Sequence, residues 1–283
     1  MKLLQKTVSF LLIGIVCCSV GASAATLDCD SEGGVLDEIK ASRIVVIGEV
    51  HGSKEIPEFV GNLLCSLSKN AAPYILALEI PTEEQEKLDS YVNRLETVSF
   101  EFAFRDSFFW NRPLHDGRSS LAVAHLIERV RQLIIAGAKL KLLAFDSRDY
   151  KTGKTAASFA STLEQVLTKT PDYKMIVLTG TNHAAARPLS KDVAQISDLA
   201  LKYKMHNLLG FFRGGYTWSC RGMTMEEISC GKTEIASRLT DIKFENSLFL
   251  GPIFAPSFSG AYFIDGLSSS PPRFDPREIR QKK

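Results

Sequence analysis

Two tryptophans, six cysteines and a formal net charge of +2 are little to find in 283 residues, and each scarcity excludes something. A charge so near balance leaves no electrostatic footprint for nucleic acid. Beyond residue 20 no apolar run approaches the roughly 20 residues needed to span a bilayer. No Cys-x-x-Cys spacing exists, so a four-cysteine zinc site lacks its frame. Also absent are the Gly-x-Ser-x-Gly elbow of serine hydrolases and the His-Glu-x-x-His of zinc peptidases. Gly153-Lys154-Thr155 ends like a phosphate-binding loop, yet Arg148 stands where the leading glycine must be. What is present, 45% hydrophobic and 23% charged residues, excludes disorder as the main state.

The N-terminus reads as a secretory signal over residues 1–24. Lys2 and Lys6 precede an apolar run from Val8 to Val20, and Ala22-Ser23-Ala24 offers a small-residue cleavage pattern. The run is too short for a stable membrane anchor, and Val16 before Cys17 does not suit a lipid-modified cysteine. Cleavage would remove two lysines and leave 32 basic against 32 acidic side chains. The expected location is the periplasm or the exterior. Cys29, Cys65, Cys220 and Cys230 would remain, an even number that favours disulfides in an oxidising compartment. Three pairings are open. Cys220–Cys230 would close a short loop while Cys29–Cys65 ties the mature N-terminus to an early helix, and this is the favoured set.

The rest of the chain, 25–267, alternates strand-like and helix-like stretches. Strands are expected at Arg43–Ile47, Tyr74–Leu78, Lys139–Phe145, Met175–Leu178 and Asn207–Phe212, each short, apolar and rich in branched residues. Helices are expected over 55–69, 82–95 with Thr82 as cap, 119–136 between Ser119 or Ser120 and Gly137, 156–168, and 189–204. Phe100 to Trp110 is unusually aromatic. It is either core or an exposed apolar surface for a partner, and such segments are more often core. The polar stretch from Asn111 to Arg118 reads as a loop able to fold over the sheet and carry His115, Asp116 or Arg118 to a substrate. Short β-like pieces come after residue 212, and 268–283 reads as a flexible tail. This order implies one α/β domain, a three-layer sandwich with a mostly parallel central sheet.

In such sheets ligands bind beyond the carboxyl ends of the strands. Glu49 and His51 follow the first strand, Glu79 the second, Asp146 and Arg148 the third, and Gly180-Thr181-Asn182-His183 the fourth. Each has a plainer role: Glu49 could cap a helix, His51 and His183 could be structural, and Asp146 with Arg148 could be only an ion pair. Glu79, set among apolar residues, needs a cation, a metal or a shared proton to lie buried. Four successive strands delivering such residues to one edge favours a functional site. His125 and His206, inside a helix and a strand, read as structural.

The Gly48-Glu49-Val50-His51 turn, Ala77-Leu78-Glu79 and Gly180-Thr181-Asn182-His183 resemble the superfamily that joins erythromycin esterase, the haem-binding protein ChaN and the Tiki/TraB proteins. The three motifs span about half of the mature chain. Erythromycin esterases place one more residue between the Glu and the His, so His51 is closer to the ChaN and Tiki pattern, and the ChaN lipobox is absent. The resemblance implies a hydrolase of an ester or amide bond in a small molecule or peptide. His51 would be its base, with Glu49 and Glu79 supporting it, His183 completing the site, Arg148 binding an oxyanion or carboxylate, and Asp146 a further site residue beside it. It equally implies a metal-dependent form in which His51, His183 and Glu79 hold zinc or manganese. The alternative is a haem- or metal-binding protein without turnover. Substrate identity and oligomeric state are not encoded in these motifs.

Overall fold

The apolar runs pair as strands buried on both faces. The computed structural model describes residues 29, 35–94, 96, 98–148, 158–186, 196–222, 224, 227–238, 248–251, 253 and 255–274. Its strands in chain order are β1 (Ile44–Glu49), β2 (Tyr74–Pro81), β3 (Leu140–Asp146), β4 (Lys174–Gly180), β5 (Met205–Phe212), β6 (Gly215–Arg221), β7 (Ser229–Ile235), β8 (Leu248–Leu250) and β9 (Gly260–Ile264). Seven of these form one sheet in the order β3-β2-β4-β1-β5-β9-β8, parallel throughout except for β8. β6 and β7 form a separate antiparallel hairpin. The helices are α1 (Val35–Ala41), α2 (Glu55–Ser68), α3 (Gln85–Val92), α4 (Phe100–Phe104), α5 (Phe108–Asn111), α6 (Leu121–Ile135), α7 (Phe159–Lys169) and α8 (Thr181–Ala184).

Side chains alternate across the sheet, as the strand period of two demands. Val45, Ile47, Leu76 and Leu78 pack against α2, α3 and α6 through Leu63, Leu64, Leu88 and Ile127. Ile44, Val46, Ile75 and Ala77 face the other way, onto Phe159 and Leu163 of α7 and onto Leu199. Each such large side chain contributes about 1.5–3 kcal/mol when fully buried. The result is the expected α/β three-layer sandwich. α6 runs as its signals require: the Ser120 hydroxyl accepts from the Val123 N–H at 3.3 Å, and Gly137 (φ +96°) stops the helix.

Several elements differ from expectation. Thr82 caps nothing; Pro81 closes β2, the chain tightens into a 3₁₀ turn at Thr82–Glu84, and α3 begins only at Gln85. The aromatic segment folds as two short helices capped by Ser99 and Ser107. They bury Phe100, Phe104, Phe109 and Trp110 and leave Phe102 and Phe108 exposed, so the segment is core. Of the stretch expected to be helical over 189–204, the described part holds a 3₁₀ turn at Ser197–Leu201. Residues 1–24, 151–157, 187–195 and 275–283 lie outside the described residues.

Residues 268–274, expected within a flexible tail, are held by backbone hydrogen bonds. The Lys54 N–H donates to the Ser268 carbonyl, Ser270 N–H to Gly52, Leu121 N–H to Pro271, and Arg273 N–H to Ser119. Cys29–Cys65 and Cys220–Cys230 are the disulfides, the pairing favoured from the sequence, and they suggest an oxidising environment. No helix among the described residues is long and apolar enough to cross a membrane.

Candidate active site

The strands that carry the candidate polar residues at or just past their ends, β1 to β4, are parallel neighbours and finish at the same sheet edge. Glu49, the last residue of β1, lies in register with Gly180, the last of β4. The β2–β3 register shifts between Leu78 and Pro81, so that Glu79 and Ile80 together oppose a single residue, a bulge that re-aims a side chain next to a site. Glu79 is buried and sits at the centre. Its Oε1 accepts from Arg118 Nη1 (3.3 Å) and Arg148 Nη2 (2.9 Å), and its Oε2 from Thr179 Oγ1 (2.7 Å) and the Gly180 N–H (3.0 Å). The His51 and His183 Nε2 atoms each lie 3.7 Å from one of these oxygens. His51 turns its Nδ1 to Glu49 Oε1 at 2.7 Å. Fully buried Asp146 takes Arg118 Nη1 at 2.9 Å, Arg148 Nη2 at 2.6 Å and Arg148 Nε at 2.8 Å. Glu49, His51, Glu79, Asp146, Arg148 and His183 are thus brought together.

The electrostatics arise from this packing. Burial alone would raise the Glu79 pKa, but His51, Arg118, His183 and the Gly180 N–H outweigh it and pull the carboxyl down to about 2. Burial would lower His51; the charge and hydrogen bond of Glu49, helped by Glu79, outweigh that and raise it above 6.5. Three carboxylates therefore form a buried floor, Glu49, Glu79 and Asp146. The groups that reach solvent above them are His51, His183 and Arg148, with side chains 24%, 18% and 34% exposed. Phe159 flanks this layer, 4.9 Å from the His183 ring and 5.4 Å beneath the Arg148 guanidinium.

Arg118 is the main participant that strand-end reasoning leaves out. It arrives on the loop after α5, where Asp116 holds it through Nε (3.0 Å) and Nη2 (2.5 Å) and also binds Arg112. Against burial, these two arginines depress the Asp116 pKa. The sequence offered a signal, since this polar loop was a candidate cover for the sheet edge. Thr179 gave none, because a threonine inside a β-branched strand is ordinary. His115 is buried but bonds Ser119 through Nδ1 at 2.8 Å rather than joining the cluster. His125 is exposed on α6, and His206, paired with Val45, lies at the opposite end of the sheet.

The residues do not fit a divalent ion. Both Glu79 oxygens already accept from donors, two of them cationic guanidinium groups. An added cation would face Arg118 and Arg148 at the shared carboxylate. Among the described residues no group of three or more His, Cys, Asp and Glu side chains is placed to hold a metal. The expectation that His51, His183 and Glu79 ligate zinc or manganese therefore has no geometric support.

A three-layer α/β sandwich with a His–Glu pair at the carboxyl edge of its sheet is the class this chain defines. Its fold is that of an erythromycin esterase: one such structure, in its open conformation, superposes with a TM-score of 0.60 over 83% of this chain and 93% of its own, at 13% identity. A succinoglycan biosynthesis protein superposes at 0.56, covering 84% of this chain and 91% of its own at 12% identity. A ChaN of Campylobacter jejuni that binds haem cofacially aligns at only 0.34, over 71% of this chain and 91% of its own at 11% identity, too loosely for its haem to bear on this chain. No protein-family model and no curated protein matches the chain.

Proposed function

We propose that the chain is a metal-independent hydrolase of a small-molecule ester, with His51 as general base and Glu49 as the carboxylate that orients it. The observation that carries this reading is the 2.7 Å contact between His51 Nδ1 and Glu49 Oε1. An Nδ1–H donated to Glu49 leaves the Nε2 lone pair as the acceptor. Gly180 makes the room: a Cβ built there would lie 2.9 Å from His51 Nε2. His51 would take a proton from water as its oxygen attacks the acyl carbon, and would return it to the departing alkoxide. Base catalysis of this kind supplies about 10²–10⁴-fold. Arg148, the most exposed of the cluster's cations, would hold the tetrahedral oxyanion, while Glu79 and Asp146 fix its guanidinium. The esterase among the fold's relatives supports ester over amide. The two disulfides support a working location outside the cytoplasm, in line with the signal-like N-terminus.

The test is hydrolysis of a panel of activated esters and macrocyclic lactones, with and without a chelator. Activity that survives chelation and falls at least about 10²-fold in His51→Ala is expected. Activity abolished by the chelator, or retained in His51→Ala, would sink the proposal. A Soret band on adding haem, with no turnover of any ester, would favour the haem-binding alternative instead.

A further inference from the structure

The β6–β7 hairpin lies outside the seven-stranded sheet, yet it touches the site at its most sensitive turn. The Thr217 hydroxyl donates to the carbonyl of His51. The Trp218 N–H donates to the Gly52 carbonyl at 3.0 Å, and the Trp218 indole N–H donates to the His115 carbonyl at 3.1 Å. The approach is backbone on backbone: a Cβ on Gly52 would meet the Trp218 carbonyl oxygen at 2.1 Å, and one on Gly117 would meet the Gly52 nitrogen at 2.5 Å. Hairpin, His51 turn and Arg118 loop are therefore stacked backbone on backbone at Gly52 and Gly117. The hairpin has little core of its own, since Thr217 is its one buried described residue. A two-stranded ribbon of that kind is marginal by itself. What closes it is Cys220–Cys230, bonded across directly paired positions, with Cys220 two residues beyond Trp218.

We propose that this hairpin, closed by Cys220–Cys230, is a strap that positions His51 against Glu49, and that reducing this one disulfide switches the site off. Thr217 and Trp218 are positioning residues, acting through the His51–Gly52 backbone. In the reductive step a dithiol supplies two electrons and two protons, the Cys220–Cys230 bond breaks into two thiols, and the dithiol closes to its own disulfide. The effect on turnover rests on the hydrolase reading; the effect on His51 does not.

Both are read in the full-length oxidised protein. The His51 imidazole is titrated by NMR, without substrate, in wild type, in Cys220→Ser/Cys230→Ser and in Cys29→Ser/Cys65→Ser. The first variant is expected to bring the His51 midpoint back toward 6.5, because the Glu49 contact that raises it is loosened. Its kcat should fall by about 10²-fold, the scale of a 1 Å misplacement, with KM little changed. The second variant should leave the His51 titration as in wild type, and a dithiol should inactivate it as it inactivates wild type. Thr217→Val should reproduce the His51 shift and Thr217→Ser should rescue it, which decides the matter if the first variant does not fold. An unaltered His51 titration in both Cys220→Ser/Cys230→Ser and Thr217→Val overturns the proposal. A shifted titration in a protein that hydrolyses no ester leaves the strap standing and removes the hydrolase.

Discussion

The proposed hydrolysis concentrates on one hydrogen bond, between His51 and Glu49, so the most informative substitution is the smallest. Glu49→Gln keeps the shape and removes the charge that holds the His51 pKa above 6.5. His51 acts as a base only when neutral, so activity should fall as pH drops through its pKa. In Glu49→Gln that acid limb is expected at lower pH, and the plateau about 10²-fold lower because the tautomer is no longer fixed. A pH profile of kcat/KM checks this; an unmoved limb would assign the titration to another group. At this scale the sequence was partly legible. Glu49, His51, Glu79, Asp146, Arg148 and His183 stand out as the polar residues at or just past the strand ends, a signal that works because parallel strands all end at one edge. Thr179 was not placed, and Arg118 was legible only as one of three residues that a loop folded over the sheet could bring to the site. A loop's path over a sheet depends on packing that no local periodicity records, and a threonine's hydroxyl direction is set by its partner strand.

Elements built on strong local signals were legible to within a few residues. Continuous apolar runs gave β1 to β5, and Ser120 with Gly137 framed α6. Ser120→Ala should remove the cap that accepts the Val123 N–H and cost about 1 kcal/mol, measured as a lower urea midpoint with an unchanged slope. An unaltered midpoint would mean that the neighbouring contacts of Leu121 with Pro271 already hold the helix start. Elements without such signals were not legible. α4 and α5 are too short for a period to show, and their aromatic content describes the core they enter rather than their conformation. The β6–β7 hairpin buries almost nothing, so its strands lack the alternation that marks a half-buried ribbon.

Across the whole molecule the site sets a pH window for stability. The Glu79 carboxyl, held near 2 against an ordinary 4.5, contributes about 3 kcal/mol above pH 4.5, lost as pH falls from 4.5 through about 2. His51, raised above 6.5, contributes below pH 6.5 and loses its contribution as pH rises through its folded value. The two share one interaction, so they do not add. Both are fully present between pH 4.5 and 6.5, where thermal midpoints should peak. In Glu79→Gln the acid limb should flatten while the midpoint falls throughout, because Arg118 and Arg148 lose their shared partner. An acid limb as steep as that of wild type would show that other carboxylates govern the loss.

The order in which these pieces occur along the chain also has a temporal meaning. The turn carrying His51 is made early, yet Ser268 and Ser270 pin it, and Pro271 secures the start of α6. At least 268 residues must leave the ribosome before the first of these fastenings can form. A product truncated near residue 265 is therefore expected to carry Glu49, His51, Glu79 and His183 with the His51 turn unpinned, and a thermal midpoint below that of the full chain would register the loss.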